Sequence, residues 1–253
     1  IPEGGRAAKG RAIVNLIGCE PDEKVSAFIS VKEFNDDHYV VMATEKGMVK
    51  KTKLSAYSNP RKKGIYAVEI RDGDKLIEAR VSTGDNDILL GTRNGKSIRF
   101  SEEQIRASGR KTMGVKGITL SSEDDRLVGM LLIKREGTVL VATEKGFGKR
   151  TEISQYRAQK RGGKGVLTMK TTDKVGKMVT IKEVVDKDDL MIITNQGVLI
   201  RLPVAQIRSI GRATQGVKLI KLGEGTLVSS ITRIMSEEEE DENNNTESTD
   251  PKE

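Results

Sequence analysis

Short apolar runs bounded by Gly, Asp, Asn and Thr turns fill most of the chain, and such runs predict β-strands. Eighteen strands are predicted. They begin with 11–17, 25–31, 39–44 and 48–54, continue through 65–70 and 76–82, and end with 217–222 and 227–234. Segments such as Val139–Ala142 and Leu190–Thr194 are apolar throughout, which suits buried strands. No helix is predicted, because Gly, Thr and Val interrupt every candidate window.

The strands recur with a fixed beat. A Thr-x-x-Gly turn between two apolar runs stands at Thr44–Gly47, Thr92–Gly95, Thr143–Gly146 and Thr194–Gly197. A basic loop ending in Gly keeps the same spacing, at Gly10, Gly64, Gly114, Gly165 and Gly216. A period of about fifty residues built from short strands marks an all-β array of blades, each burying its faces against its neighbours. At four strands per blade, eighteen strands make about four and a half blades. The opening Ile1-Pro2-Glu3-Gly4-Gly5, directly before a basic loop, reads as the start of a fragment partway through a blade. A longer correspondence overlies the period. Gln104-Ile-Arg106 before Gly109-Arg110 matches Gln206-Ile-Arg208 before Gly211-Arg212, and Leu54-Ser-Ala-Tyr57 matches Ile153-Ser-Gln-Tyr156. Alternate blades therefore resemble each other more than neighbours do.

Charge divides the 253 residues into two expected parts. Residues 236–253 carry a net −8, so a body at 1–235 carries +15. The acidic segment has no apolar anchor to offset its ordering entropy and is expected to be a disordered tail. Tethered to a basic body, such a polyanion is expected to compete by contact for the surface that binds the body's partner. A basic body points first to nucleic acid. The single cysteine, Cys19, excludes an internal disulfide framework and fits a reducing compartment. No run of 18 apolar residues is present, so no membrane span is expected.

Catalytic constellations are missing from the sequence. Gly91-Thr-Arg-Asn-Gly95-Lys96-Ser97 imitates a phosphate loop, but it is one residue short and lies between two strands. His38 is the one histidine, so no Ser-His-Asp relay or His-rich zinc site can be built within the chain. The Asp-rich turns at Asp72–Asp74, Asp124–Asp125 and Asp188–Asp189 lack calcium-loop spacing and read as solvated blade tips. No catalytic residue, metal or cofactor is expected in the chain.

The basic loops carry the candidate chemistry. They offer Arg6, Lys9 and Arg11; Arg61, Lys62 and Lys63; Arg110, Lys111 and Lys116; Lys160, Arg161 and Lys164; and Arg212. Glycines beside these cations let the backbone approach a phosphate closely, so amides and side chains can contact one position together. Five loops in register predict a positive belt around the rim. Aromatics make up only 3% of the chain, which favours duplex phosphate contact over stacking of unpaired bases. Replacing Lys160, Arg161 and Lys164 with Ala is expected to leave the fold intact, as exposed positions usually do.

The segment Gln159-Lys160-Arg161-Gly162-Gly163-Lys164-Gly165 closely resembles the signature box of the DNA gyrase A C-terminal domain, Gln-Arg-Arg-Gly-Gly-Lys-Gly. Ala12-Ile-Val-Asn-Leu16, Gly114-Val-Lys-Gly-Ile118, Gly148-Lys-Arg-Thr151 and Gly211-Arg-Ala-Thr-Gln-Gly216 are similar to further segments of that family. In many members the box lies in the first blade, whereas here the match falls late in the chain. The resemblance implies a β-pinwheel, a propeller-like disc of about five to six four-stranded blades in which neighbours exchange a strand. It implies a non-catalytic domain that wraps double-stranded DNA around a basic perimeter. The implied partners are the gyrase B protein and the remainder of the gyrase A protein, in an A2B2 complex. ATP and Mg would serve that holoenzyme, in a bacterial cytoplasm beside the nucleoid. The equivalent domain of topoisomerase IV is the alternative, and a propeller acting as a protein-interaction scaffold is a remote one.

Overall fold

A computed structural model of the chain describes residues 23–61 and 64–234. Among the described residues are fifteen strands, each at a predicted position. The first sheet orders β3 (Leu76–Ser82), β1 (Tyr39–Thr44), β2 (Met48–Lys53) and β6 (Val115–Lys116). The second orders β7 (Leu127–Ile133), β4 (Asp87–Thr92), β5 (Lys96–Ser101) and β10 (Val166–Leu167). The third orders β11 (Met178–Val184), β8 (Thr138–Thr143), β9 (Phe147–Glu152) and β14 (Val217–Lys218). The fourth holds β15 (Val228–Ile234), β12 (Asp189–Thr194) and β13 (Leu199–Pro203). We call these sheets blades I to IV.

Each Thr-x-x-Gly turn reverses the chain between the two middle strands of a blade. In all four, the Gly amide donates to the Thr carbonyl at 3.0 Å. The glycines have φ of 82°, 84°, 78° and 79°, a left-handed conformation that side chains oppose. Consecutive residues of the middle strands enter different cores. Leu90 packs with Val41 and Ala43 between blades I and II, while Leu89 packs with Val139 and Val141 between blades II and III. Leu140 then joins Leu190 and Ile192 between blades III and IV. Burial on both faces explains why these strands lack polar alternation.

The outermost strand of blades I, II and III comes from the following unit. Val115 pairs with Val49, Val166 with Ser97, and Val217 with Gly148. The predicted strands 115–120, 166–170 and 217–222 are thus cut to two paired residues. Beyond the pair the chain turns onto the preceding blade, where the amides of Gly117, Thr168 and Leu219 donate to the carbonyls of Gly47, Gly95 and Gly146. The exchange needs glycine just before the strand. A Cβ on Gly114, Gly165 or Gly216 would lie 2.3, 2.4 or 2.6 Å from a carbonyl oxygen of the neighbouring blade.

Three expectations change. The described residues form four blades instead of five to six, and blade IV has three strands. No exchange strand lies over β13 among the described residues, so Leu199 is 58% exposed. Segment 65–70 follows Gly64 as β6 follows Gly114, yet among the described residues no sheet edge lies beside it to make a ladder. Segment 25–31 also forms no strand; Ala27 and Val31 pack on the Val40–Met42 face while Phe28 stays outside. The predicted strand 11–17 and the acidic segment 236–253 lie outside the described residues.

Candidate nucleic-acid interface

Sheet order places β3, β7, β11 and β15 at the hub and the exchange strands at the perimeter. The basic loops immediately precede the exchange strands, so loops 109–114, 159–165 and 211–216 all sit on the outer edge. Each is fastened where it leaves the previous blade. The amides of Ser108, Gln159 and Ile210 donate to the carbonyls of Lys51, Arg99 and Arg150 at 2.9, 2.8 and 2.9 Å.

The loops are also linked to one another. Arg110 Nη1 donates to the Tyr66 carbonyl at 3.3 Å, Arg161 Nη1 to that of Lys116 at 3.2 Å, and Arg212 Nη1 to that of Leu167 at 2.9 Å. In each case the acceptor lies two residues beyond the last glycine of the preceding loop. A guanidinium carries several donors in one plane, so one can bond a carbonyl while others remain for a phosphate. These three arginines are half-buried, whereas Lys111, Lys116, Lys160 and Lys164 are exposed. The expected cation belt thus has fixed arginines and outward lysines. Arg61 is exposed, and Arg6, Lys9, Arg11, Lys62 and Lys63 lie outside the described residues.

Loop 159–165 is held most firmly. Gln104 Oε1 accepts the Arg161 amide at 2.9 Å and Gln104 Nε2 donates to the Gln159 carbonyl at 3.2 Å. Arg161 Nε returns a bond to the Gln104 carbonyl at 2.9 Å. The Gly162 amide donates to Gly117, and Thr119 Oγ1 donates to the Gly162 carbonyl, both at 2.6 Å. Arg161 therefore has structural bonds, unlike the free surface position expected from sequence. Gly163 lies over Ile98, whose Cδ1 would be 3.4 Å from an added Cβ.

The other two loops rest on buried lysines. Lys50 Nζ donates to the Ala67 carbonyl at 2.6 Å and to that of Arg110. Lys149 Nζ donates to the Gly211 carbonyl at 2.6 Å and to that of Arg212. The two lysines are 2% and 0% exposed. Burial, and secondarily the charge of Arg110 or Arg212, pulls each ammonium down to about 8. The carbonyl acceptors favour the charged form and oppose that shift.

Sequence reasoning missed several perimeter residues. Arg106, Arg157 and Arg208 are exposed, one per unit, just after the 3-10 turns Glu102–Gln104, Ile153–Gln155 and Val204–Gln206. The repeated Gln-Ile-Arg triplet was the available signal for two of them. Lys218 is exposed at the position equivalent to Lys116. The Asp-rich turns are not uniformly solvated. Asp125 and Asp188 are 3% and 1% exposed, and Asp125 accepts the Asn94 amide at 2.9 Å while Asp188 meets Arg135 at 2.8 Å. His38 bonds Asn35 at 2.8 Å through its ring. Among the described residues, no group of three His, Cys, Asp or Glu could hold a metal ion.

A family model described as the DNA gyrase C-terminal domain, beta-propeller, matches residues 38–83, 86–134, 137–184 and 188–234, one match for each blade. The chain belongs to the DNA gyrase C-terminal domain family. It is 45% identical over 241 residues to the DNA gyrase A protein of Staphylococcus epidermidis, covering 94% of this chain and 27% of that protein. The Staphylococcus aureus counterpart is 43% identical over 252 residues, covering 98% and 28%. The chain thus spans little more than a quarter of these curated relatives. Its fold matches a crystal structure of the C-terminal domain of DNA topoisomerase IV, with TM-score 0.84, 26% identity and coverage of 89% of this chain and 71% of that one. It also matches a DNA gyrase A C-terminal domain, with TM-score 0.81, 23% identity and coverage of 90% and 76%.

Proposed function

We propose that this gyrase-type domain binds duplex DNA along its perimeter and bends it around the blades. Within a holoenzyme of gyrase A and gyrase B proteins, that wrapping would present a crossing segment for ATP-dependent negative supercoiling. The observation that carries the reading is the register of loops 109–114, 159–165 and 211–216. All three immediately precede exchange strands at the outer edge and are joined by repeated arginine bonds, and Lys111, Lys116, Lys160, Lys164 and Lys218 are exposed in or just after them. Lysine ammonium groups attract phosphates as point charges, and the glycine-rich backbone admits them closely. Such contacts fix register on a duplex without reading its sequence.

Affinity for two unrelated duplexes across a salt series tests this reading. Neutralising a phosphate releases about 0.9 counterion, so several loops acting together predict a log–log slope on the order of −5 to −9. The two duplexes should bind alike. A slope near about −1, or strong preference for one sequence, contradicts perimeter contact. The fold match to a topoisomerase IV domain supports a second reading, in which the parent enzyme chiefly decatenates. The box-like heptapeptide and the gyrase A relatives favour gyrase, and supercoiling against decatenation by the full enzyme separates the two.

A further inference from the structure

Blades I and III carry lysine where blades II and IV carry isoleucine. Counted from the Thr-x-x-Gly turn, Lys50 and Lys149 occupy the third position, as do Ile98 and Ile200. The fold itself therefore accepts an apolar side chain at this point. A buried ammonium is costly to desolvate, so a lysine here needs a purpose beyond filling the core. Both ammonium groups end on the backbone of a basic loop from the next unit: Lys50 on Arg110, Lys149 on Gly211 and Arg212. We infer that Lys50 and Lys149 are positioning residues that set loops 109–114 and 211–216 for contact with DNA, while loop 159–165 is set by Gln104 and Thr119 instead. This rests on the perimeter reading above.

The surroundings make the inference testable by pH. Beside Lys50 stand Arg110 and Tyr57, the latter donating to the same Ala67 carbonyl at 3.3 Å. Beside Lys149 stands Arg212, whose guanidinium in turn lies 6.0 Å from the Tyr156 ring. Burial holds both phenols above their ordinary value of 10.0, and arginine stays charged. Between about pH 7 and about pH 9.5 the lysines are the groups at these two seats that change charge.

The experiment compares the 253-residue chain with a Lys50→Ile, Lys149→Ile variant, binding a short duplex and unfolding thermally. The variant should bind at least about fivefold more weakly at pH 7 while its Tm is equal or higher. The parent's affinity should fall as pH rises through about 8, and the variant's should stay flat. A Lys50→Met, Lys149→Met variant repeats the test with an unbranched side chain, in case isoleucine packs poorly. Equal binding by variant and parent overturns the inference. So does weaker binding accompanied by a lower Tm in both variants, because the lysines would then be supports of the fold. If the parent fails to bind the duplex, the perimeter reading falls, and the inference with it.

Discussion

The seat beneath loop 159–165 and the seats beneath loops 109–114 and 211–216 solve one problem in two ways. The first is apolar, with the Ile98 side chain under Gly163, and the loop is clamped from its flanks by Gln104 and Thr119. The other two are cationic, with Lys50 and Lys149 bonding the loop backbone from below. Turn residues follow the same division. Tyr57 and Tyr156 accompany the lysines, and Ile105 and Ile207 hold the equivalent place in blades II and IV. The likeness between alternate blades is thus a code for how each rim loop is supported. Clamping suits a rigid seven-residue box, whereas a buried cation allows a shorter loop to be held through its carbonyls alone.

What the two kinds of loop share should be the most sensitive to change. Gly165 has φ of 69°, and an added Cβ would meet the Ser97 carbonyl oxygen at 2.4 Å. Gly165→Val should therefore destabilise by about 3 kcal/mol or more in denaturant unfolding. Gly109, with nothing within 4 Å of its would-be Cβ, should tolerate Ala within about 0.5 kcal/mol. A mild effect at Gly165 would show that strand exchange is looser than the geometry indicates.

A smaller difference should separate the arginines. Arg161→Ala removes bonds to the Gln104 and Lys116 carbonyls, whereas Arg110→Ala removes one long bond to Tyr66. The first should cost about 1–2 kcal/mol and the second under about 1 kcal/mol, read by the same unfolding measurement. Equal costs would erase the distinction between a clamped loop and a seated one.

The weakest expected effect is in pH. Both buried lysines lie near 8, below the ordinary 10.5, so the folded chain holds fewer protons than the unfolded chain between those values. Stability from this source is present above 10.5 and is lost as pH falls through about 8. The parent should gain stability relative to the Lys50→Ile, Lys149→Ile variant as pH rises across that interval, and the carbonyl acceptors, which favour the charged ammonium, limit the gain. A difference that shrinks as pH rises would reverse the assigned shift.

Much of this was legible in the chain. The Thr-x-x-Gly turns, the strand positions and the blade period follow from glycine's tolerance of positive φ and from runs buried on both faces. The exchange was legible only through the family resemblance, because Val115 pairs with Val49 of the preceding unit, and no local pattern names a partner in another unit. Lys50 and Lys149 were hidden for another reason. A lysine inside a strand reads as a solvent-facing residue until the loop that covers it is placed. Arg161 read as a free surface cation for the same cause, since its carbonyl partners belong to the preceding unit.

The central claim is that DNA lies on the perimeter and not over the hub, and chemical acetylation of lysines tests it most directly. With duplex DNA bound, Lys111, Lys160, Lys164 and Lys218, all exposed on the rim, should be protected. Lys46 and Lys75, on the hub side, should react as fast as in the free domain. Protection of Lys46 and Lys75 with the four rim lysines still reactive would contradict the account.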